Sequence, residues 1–112
     1  MKRVAAGLGL IAFLMVLAGG SLAAQVGERP RDTDYTDDAE DAIDDAEDED
    51  DEAKRRQYYV IALTAAQAEI AENPNNPLGH RLAALASLEL EQYAEAGAHF
   101  DQAQELYPLY EF

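Results

Sequence analysis

The side chains with chemistry to offer are two imidazoles and a dense run of carboxylates. His80 and His99 are the two histidines of the chain. They lie on different predicted helices, and an imidazole pair without a nucleophile or a third ligand is a poor catalytic or metal centre, so each reads as a surface or core-edge histidine. The absence of cysteine removes thiolate nucleophiles, thiolate metal sites and disulfides together. Neither a G-x-x-x-x-G-K-[ST] nor a G-x-S-x-G sequence occurs, which leaves no phosphate loop or nucleophile elbow. The carboxylates concentrate in DTDYTDDAEDAIDDAEDEDDE, where fifteen acidic residues between Glu28 and Glu52 face Arg29 and Arg31. A run like this can gather cations weakly or attract a basic protein. It offers no pair held at catalytic spacing. It is not a calcium loop either: from Asp32 onward the turn glycine is missing, and Ile43 stands where the bidentate glutamate belongs. No catalytic residue, metal ligand or cofactor is assigned, and the chain reads as a non-enzyme.

Three segments would have to position any site. Residues 1–24 have the zones of a secretory signal: Lys2 and Arg3, an apolar stretch from Val4 to Ala18, then small residues that predict cleavage after Ala23 or Ala24. The stretch is shorter than the roughly 18–20 residues of a spanning helix. Removal is therefore expected, and membrane contact only if the segment is retained. The destination read from this leader is periplasmic or secreted. All 23 acidic residues lie beyond residue 24, so a processed chain keeps six basic residues and carries a net charge of −17. That charge repels nucleic acid and anionic lipid, and neither is expected as a partner.

Residues 25–52 have few large apolar side chains, with Val26, Tyr35 and Ile43 as the candidates, and are predicted to be an acidic disordered spacer. Ala39, Ala42, Ile43 and Ala46 fall at helical spacing and leave room for a transient helix, against which the many aspartates argue. Residues 53–112 are predicted to be helical. Tyr59, Leu63, Ala66 and Ile70 form one stripe at helical spacing, and Leu78, Leu82, Leu85 and Leu88 form a second. Tyr93, Ala96, Phe100 and Ala103 form a third. Asn-Pro-Asn-Asn-Pro at 73–77 separates the first two helices, a break near Glu91-Gln92 separates the next two, and Pro108 closes the last. Asp50, Asp51 and Glu52 stand four residues before Lys54, Arg55 and Arg56, which suits i, i+4 pairing. No strand pattern is present, and the fold class is all-α.

Two helices in about 34 residues, with Ala96, Phe100, Ala103 and Pro108 at their spacing and Tyr93 ahead of them, resemble a tetratricopeptide repeat (TPR). The family's first-helix positions fall on His80, Ala83-Ala84 and Ser87. The helix over 53–73 resembles the second half of a degenerate preceding repeat, counted from Ala68 to Pro74. The resemblance implies an antiparallel helical hairpin plus one preceding helix, with Tyr93, Ala96, Phe100, Ala103 and Pro108 as packing positions. It also implies a module that holds an extended peptide or another helix. The expected function is thus an exported, non-enzymatic protein-interaction adaptor with an acidic spacer. Leu78, Leu82, Leu85, Tyr107, Tyr110 and Phe112 are the candidate partner contacts; the aromatic tail has the alternative of packing back onto the last helix. A lone repeat is short of self-sufficiency, so self-association or stacking on a partner is expected. The alternative reading places function in the acidic segment, binding cations or basic envelope proteins, with the helices as anchor.

Overall fold

A computed structural model describes residues 29–110, and within them the chain forms four helices: α1 (Asp34–Glu47), α2 (Glu52–Glu72), α3 (Pro77–Glu89) and α4 (Tyr93–Leu106). The all-α expectation holds. The leader and the cleavage positions lie outside the described residues, as does Phe112. α1 packs on α2 and α4 packs on α3, while α3 also lies against α2 and, more lightly, against α1. The chain is therefore two helical hairpins stacked side by side, with α3 at the centre.

The acidic segment departs from its expectation. Residues 34–47, predicted to be disordered, are a capped helix carrying eight carboxylates in fourteen residues. Like charges four apart, such as Asp37 with Asp41 and Asp41 with Asp45, each cost roughly 0.2–0.5 kcal/mol. Two features outweigh them. Thr33 caps the helix: its Oγ1 accepts from Thr36 N at 3.2 Å, and Thr36 Oγ1 accepts from Thr33 N at 2.7 Å. Asp34 and Asp37 in the first turn also suit the positive end of the helix dipole. The other feature is packing. Thr36, Ala39, Ala42 and Ala46 are buried on one stripe, and the contact they make needs small residues, not the large apolar ones whose scarcity suggested disorder.

The core lies between α1, α2 and α3 in three tiers. Ala39, Ala66, Leu78, Leu82 and Ala83 form the first, Ala42, Ala62 and Ala86 the second, and Ala46, Tyr59 and Leu90 the third; half-buried Ile43 and Leu63 pack against all three. So many alanines mean closely approaching helices. α4 contributes only Ala96 and Ala103 to the buried set.

A polar lock closes one end of this core. Glu69 on α2 is fully buried. Its Oε1 accepts from Thr33 Oγ1 at 2.6 Å, and its Oε2 accepts from Asn76 Nδ2 at 2.8 Å. Asn76, also fully buried, caps α3 through its Oδ1, which accepts from Leu78 N at 3.3 Å. The same amide clasps the incoming chain, accepting from Arg31 N at 3.0 Å and donating to Arg31 O at 2.9 Å.

The turns carry their own chemistry. Asp51 accepts from Lys54 N at 3.0 Å and so caps α2 instead of pairing with Arg55, whose Nη1 donates to Glu49 O at 3.2 Å. Between α3 and α4, Gln92 N bonds to Ser87 O at 2.8 Å and Glu91 N to Leu88 O at 3.0 Å. That is a Schellman closure, and it holds Glu91 at a φ of 64°. Gly79 marks the closest approach of α3 to α2, since a Cβ there would stand 2.8 Å from Glu69 Cγ and 3.4 Å from Ile70 Cγ1. Glu69 is fixed by its hydrogen bonds and cannot swing aside. Gly79→Ala should therefore lower stability by roughly 1–2 kcal/mol, an overpacking cost only partly offset by better helix propensity. Urea unfolding measures this, and a variant as stable as the parent would refute the close approach.

Candidate functional site

α1 and α2 leave a groove on the face of their hairpin that is turned away from the core. Ile61, Ala65 and Ala68 stand along its α2 side, with Tyr58, Val60 and Thr64 beside them, and Asp38, Asp41 and Asp45 along its α1 side, with Tyr35 and Ala42 also in the lining. Each set of three follows i, i+3 or i+4, i+7, so each stands in line along its helix. The groove is shallow and open to solvent, with a volume of about 530 Å³. Ile61 is 54% exposed and its neighbour Val60 49%, an unusual outlay of large apolar surface on so small a domain. A second apolar depression, lined by Ala53, Arg56, Gln57, Val60 and Ile61, continues the surface toward the start of α2. The groove thus combines an apolar strip with an acidic rim.

The residues singled out from the sequence fall elsewhere. Leu78 and Leu82 are 7% and 2% exposed, consumed by the core, and Leu85 is half-buried against it. As partner contacts they are corrected: the surface they were assigned to is internal, because α3 is covered on several sides. Among the packing positions Ala96 and Ala103 are buried and Phe100 is half-buried, whereas Pro108 is exposed and Tyr93 is 64% exposed. Tyr93 starts α4 beyond the end of the tiers and does not pack as expected. The described part of the aromatic tail folds back. Tyr107 and Tyr110 meet edge to face at 5.2 Å, and the Arg81 guanidinium of α3 lies 5.7 Å from the Tyr110 ring centre. Burial pushes the Tyr110 phenol up. Of the alternatives for the tail, packing back describes Tyr107 and Tyr110, and Leu109 is left 61% exposed.

The histidines do meet, with ring centres 5.9 Å apart and planes tilted by 41°. His80 Nε2 donates to Pro74 O at 2.9 Å, which ties α3 to the preceding turn. Burial, then the neighbouring His80, lowers the pKa of His99, with Glu95 opposing. A histidine held neutral in this way costs stability as the pH falls below its ordinary value. The pair is a packing contact between α3 and α4.

Near the start of α1, carboxylate oxygens of Asp32, Asp37 and Glu40 lie within 4.8 Å of one another. Burial raises the Glu40 pKa, as do Asp32, Asp37 and Asp44 in that order, while Arg81 pulls it down. Like charges crowded in this way strain α1 and do not define a ligand.

The groove gave no strong signal in the sequence. Ile61 and Ala65 lie off the buried stripe of α2, and their partners on α1 belonged to a segment with no expected structure. No family model matches the chain, and no curated protein and no solved structure is detectably similar.

Glu40 supplies a test of the electrostatics. Its carboxyl binds a proton more tightly folded than unfolded, so its ionisation destabilises the fold as the pH rises through the raised pKa. Glu40→Gln should raise Tm at neutral pH, and the gain should vanish near pH ~4, where the carboxyl of the parent is itself largely protonated. Thermal circular dichroism at both pH values reads the difference. A fall in Tm at neutral pH would mean that the Arg81 attraction dominates.

Proposed function

We propose that this chain is an exported, non-enzymatic protein-interaction module made of two stacked helical hairpins of tetratricopeptide type. The observation that carries the reading is a recurrence between α2 and α4. Ala62, Ala66, Glu69 and Pro74 stand 34 positions before Ala96, Phe100, Ala103 and Pro108, and 34 residues is the period of that repeat family. Five of these eight residues are buried and Phe100 is half-buried. The register runs through Glu69, not Ala68, which makes the spacing to the closing proline equal in both hairpins. The first-helix positions His80, Ala83, Ala84 and Ser87 are all buried as well.

The two hairpins differ where α2 begins. It starts at Glu52, seven residues before Tyr59, the counterpart of Tyr93. The additional two turns displace α1 along the chain and obscure the period in the first helices. Stacking explains why α3 touches both helices of the first hairpin, and it leaves the outer face of that hairpin open, where a solenoid would place another unit. The leader read over residues 1–24 supports delivery to the cell envelope.

The alternative, an acidic segment that binds while the helices merely anchor it, merges with this reading. The acidic residues of 34–47 belong to α1, and deleting them would strip the cover from Ala62 and Ala66. A photo-crosslinking residue placed in living cells at Ile61, Leu88, Tyr93 or Leu109, exposed positions around the domain, tests the proposal. A discrete protein adduct on at least one face is expected, together with a mature mass that starts at Ala24 or Gln25. Absence of any adduct at all four positions would overturn the interaction role.

A further inference from the structure

We propose that the α1–α2 groove is the docking surface of this module, and that its occupant is a cationic amphipathic helix of a partner protein. The inference rests on the protein-interaction reading above and adds the face and the chemistry of the partner.

Ile61, Ala65 and Ala68 span about 10 Å along α2 at 1.5 Å per residue, and Asp38, Asp41 and Asp45 span the same length along α1. Two turns of a helix match that length. Ala65 and Ala68 are small and Tyr58, Val60, Ile61 and Thr64 flank them, so leucine-sized side chains at i, i+3 or i+4, and i+7 of a partner helix can seat over the alanines between those larger walls. Tyr35, 37% exposed, offers an aromatic face at the α1 side. The carboxylates of the rim are solvent-exposed and follow one another along one edge. A lysine or arginine beside the apolar stripe of the partner would meet each in turn, keeping its charged end in water.

Charge decides between occupants. A second copy of this chain would bring its own net charge of −15 and its acidic α1 against the rim, so self-stacking on this face is repelled. An acidic or neutral helix would cover Ile61 but leave the Asp38–Asp45 edge uncompensated. A basic helix satisfies both sides of the groove. The same rim accelerates encounter with such a partner at low salt.

The probe is a synthetic helical peptide of about four turns, with leucine at i, i+4 and i+7 and lysine at the flanking positions. Its controls are a scramble of the same composition and a version with every lysine replaced by glutamate. Fluorescence anisotropy against the chain from residue 25 onward should give saturable binding of the patterned peptide, at least tenfold tighter than its scramble, and none of the glutamate version. The triple variant Asp38→Asn, Asp41→Asn, Asp45→Asn should weaken binding by roughly tenfold at low salt and flatten its salt dependence. Ile61→Gln, at a half-exposed position that folding does not require, should weaken it by a similar factor while leaving the salt slope intact. Equal binding of patterned and scrambled peptides would overturn the proposal, since it would reduce the groove to diffuse electrostatics. So would Ile61→Gln binding as well as the parent, or a parent dimer in sedimentation that Ile61→Gln dissociates. A crosslink in cells at Leu109 or Tyr93 but not at Ile61 would defeat the groove and leave the interaction module standing.

Discussion

The fold depends on one buried carboxylate. Glu69 carries no exposed surface, and an ionised group there without partners would cost several kcal/mol. What makes it tolerable is that two different parts of the chain come to it, Thr33 at the start of α1 and Asn76 at the start of α3. Hydrogen bonds to a charged acceptor contribute roughly 1.5–3 kcal/mol each. Because the donors are themselves helix caps, satisfying Glu69 also sets where α1 and α3 begin. Breaking the arrangement at any member leaves the others buried and unpaired, which makes it a strong specifier of the native register.

The remainder follows from that clasp. With the ends of three helices pinned, their bodies are drawn close enough that alanines suffice as core, and Gly79 is required where α3 crosses Glu69. Close packing in turn lets α1 exist at all. A helix with eight carboxylates and no basic residue has no claim to stability alone; it is held by its alanine face, its capping box and the clasp. Burial first, and then the crowded charges of Asp32, Asp37 and Asp44, raises the pKa of the Glu40 carboxyl. What the chain obtains from carrying so acidic a helix on its surface is a rim of fixed negative charge beside the apolar groove on α2.

Much of this was legible in the sequence, and the exceptions have physical causes. The bounds of α3 and α4 are written in Asn-Pro-Asn-Asn-Pro at 73–77, in the break at Glu91-Gln92 and in Pro108, whereas Asp51, which caps α2, looked like an ion-pair partner of Arg55. The helical spacing of Ala39, Ala42, Ile43 and Ala46 is visible in the sequence, but the aspartates and the scarcity of large apolar side chains argue for disorder, whereas Ala39, Ala42 and Ala46 stabilise by proximity. Glu69 gave no warning, since a glutamate on a helix ordinarily points to water. The leucines of α3 looked like a free stripe because a sequence shows which residues are apolar but not how many neighbours a helix has; α3 has three. In the repeat register proposed above, Glu69 stands where the last hairpin has Ala103, and counting from the small residue Ala68 puts the first hairpin one residue out of step.

The acidic segment is a folded member of the domain, fastened by Thr33, Glu69 and Asn76. Amide hydrogen exchange across α1, in the parent and in Thr33→Val, tests it most directly. The amides of Ala39 to Ala46 should be protected in the parent to a level near that of α2. In Thr33→Val that protection should fall well before the protection of α3 and α4 does. Exchange of α1 in the parent at the rate of an unstructured chain, with α2 to α4 protected, would mean that α1 is not fastened to the domain and would return the acidic residues to the role of a solvated spacer.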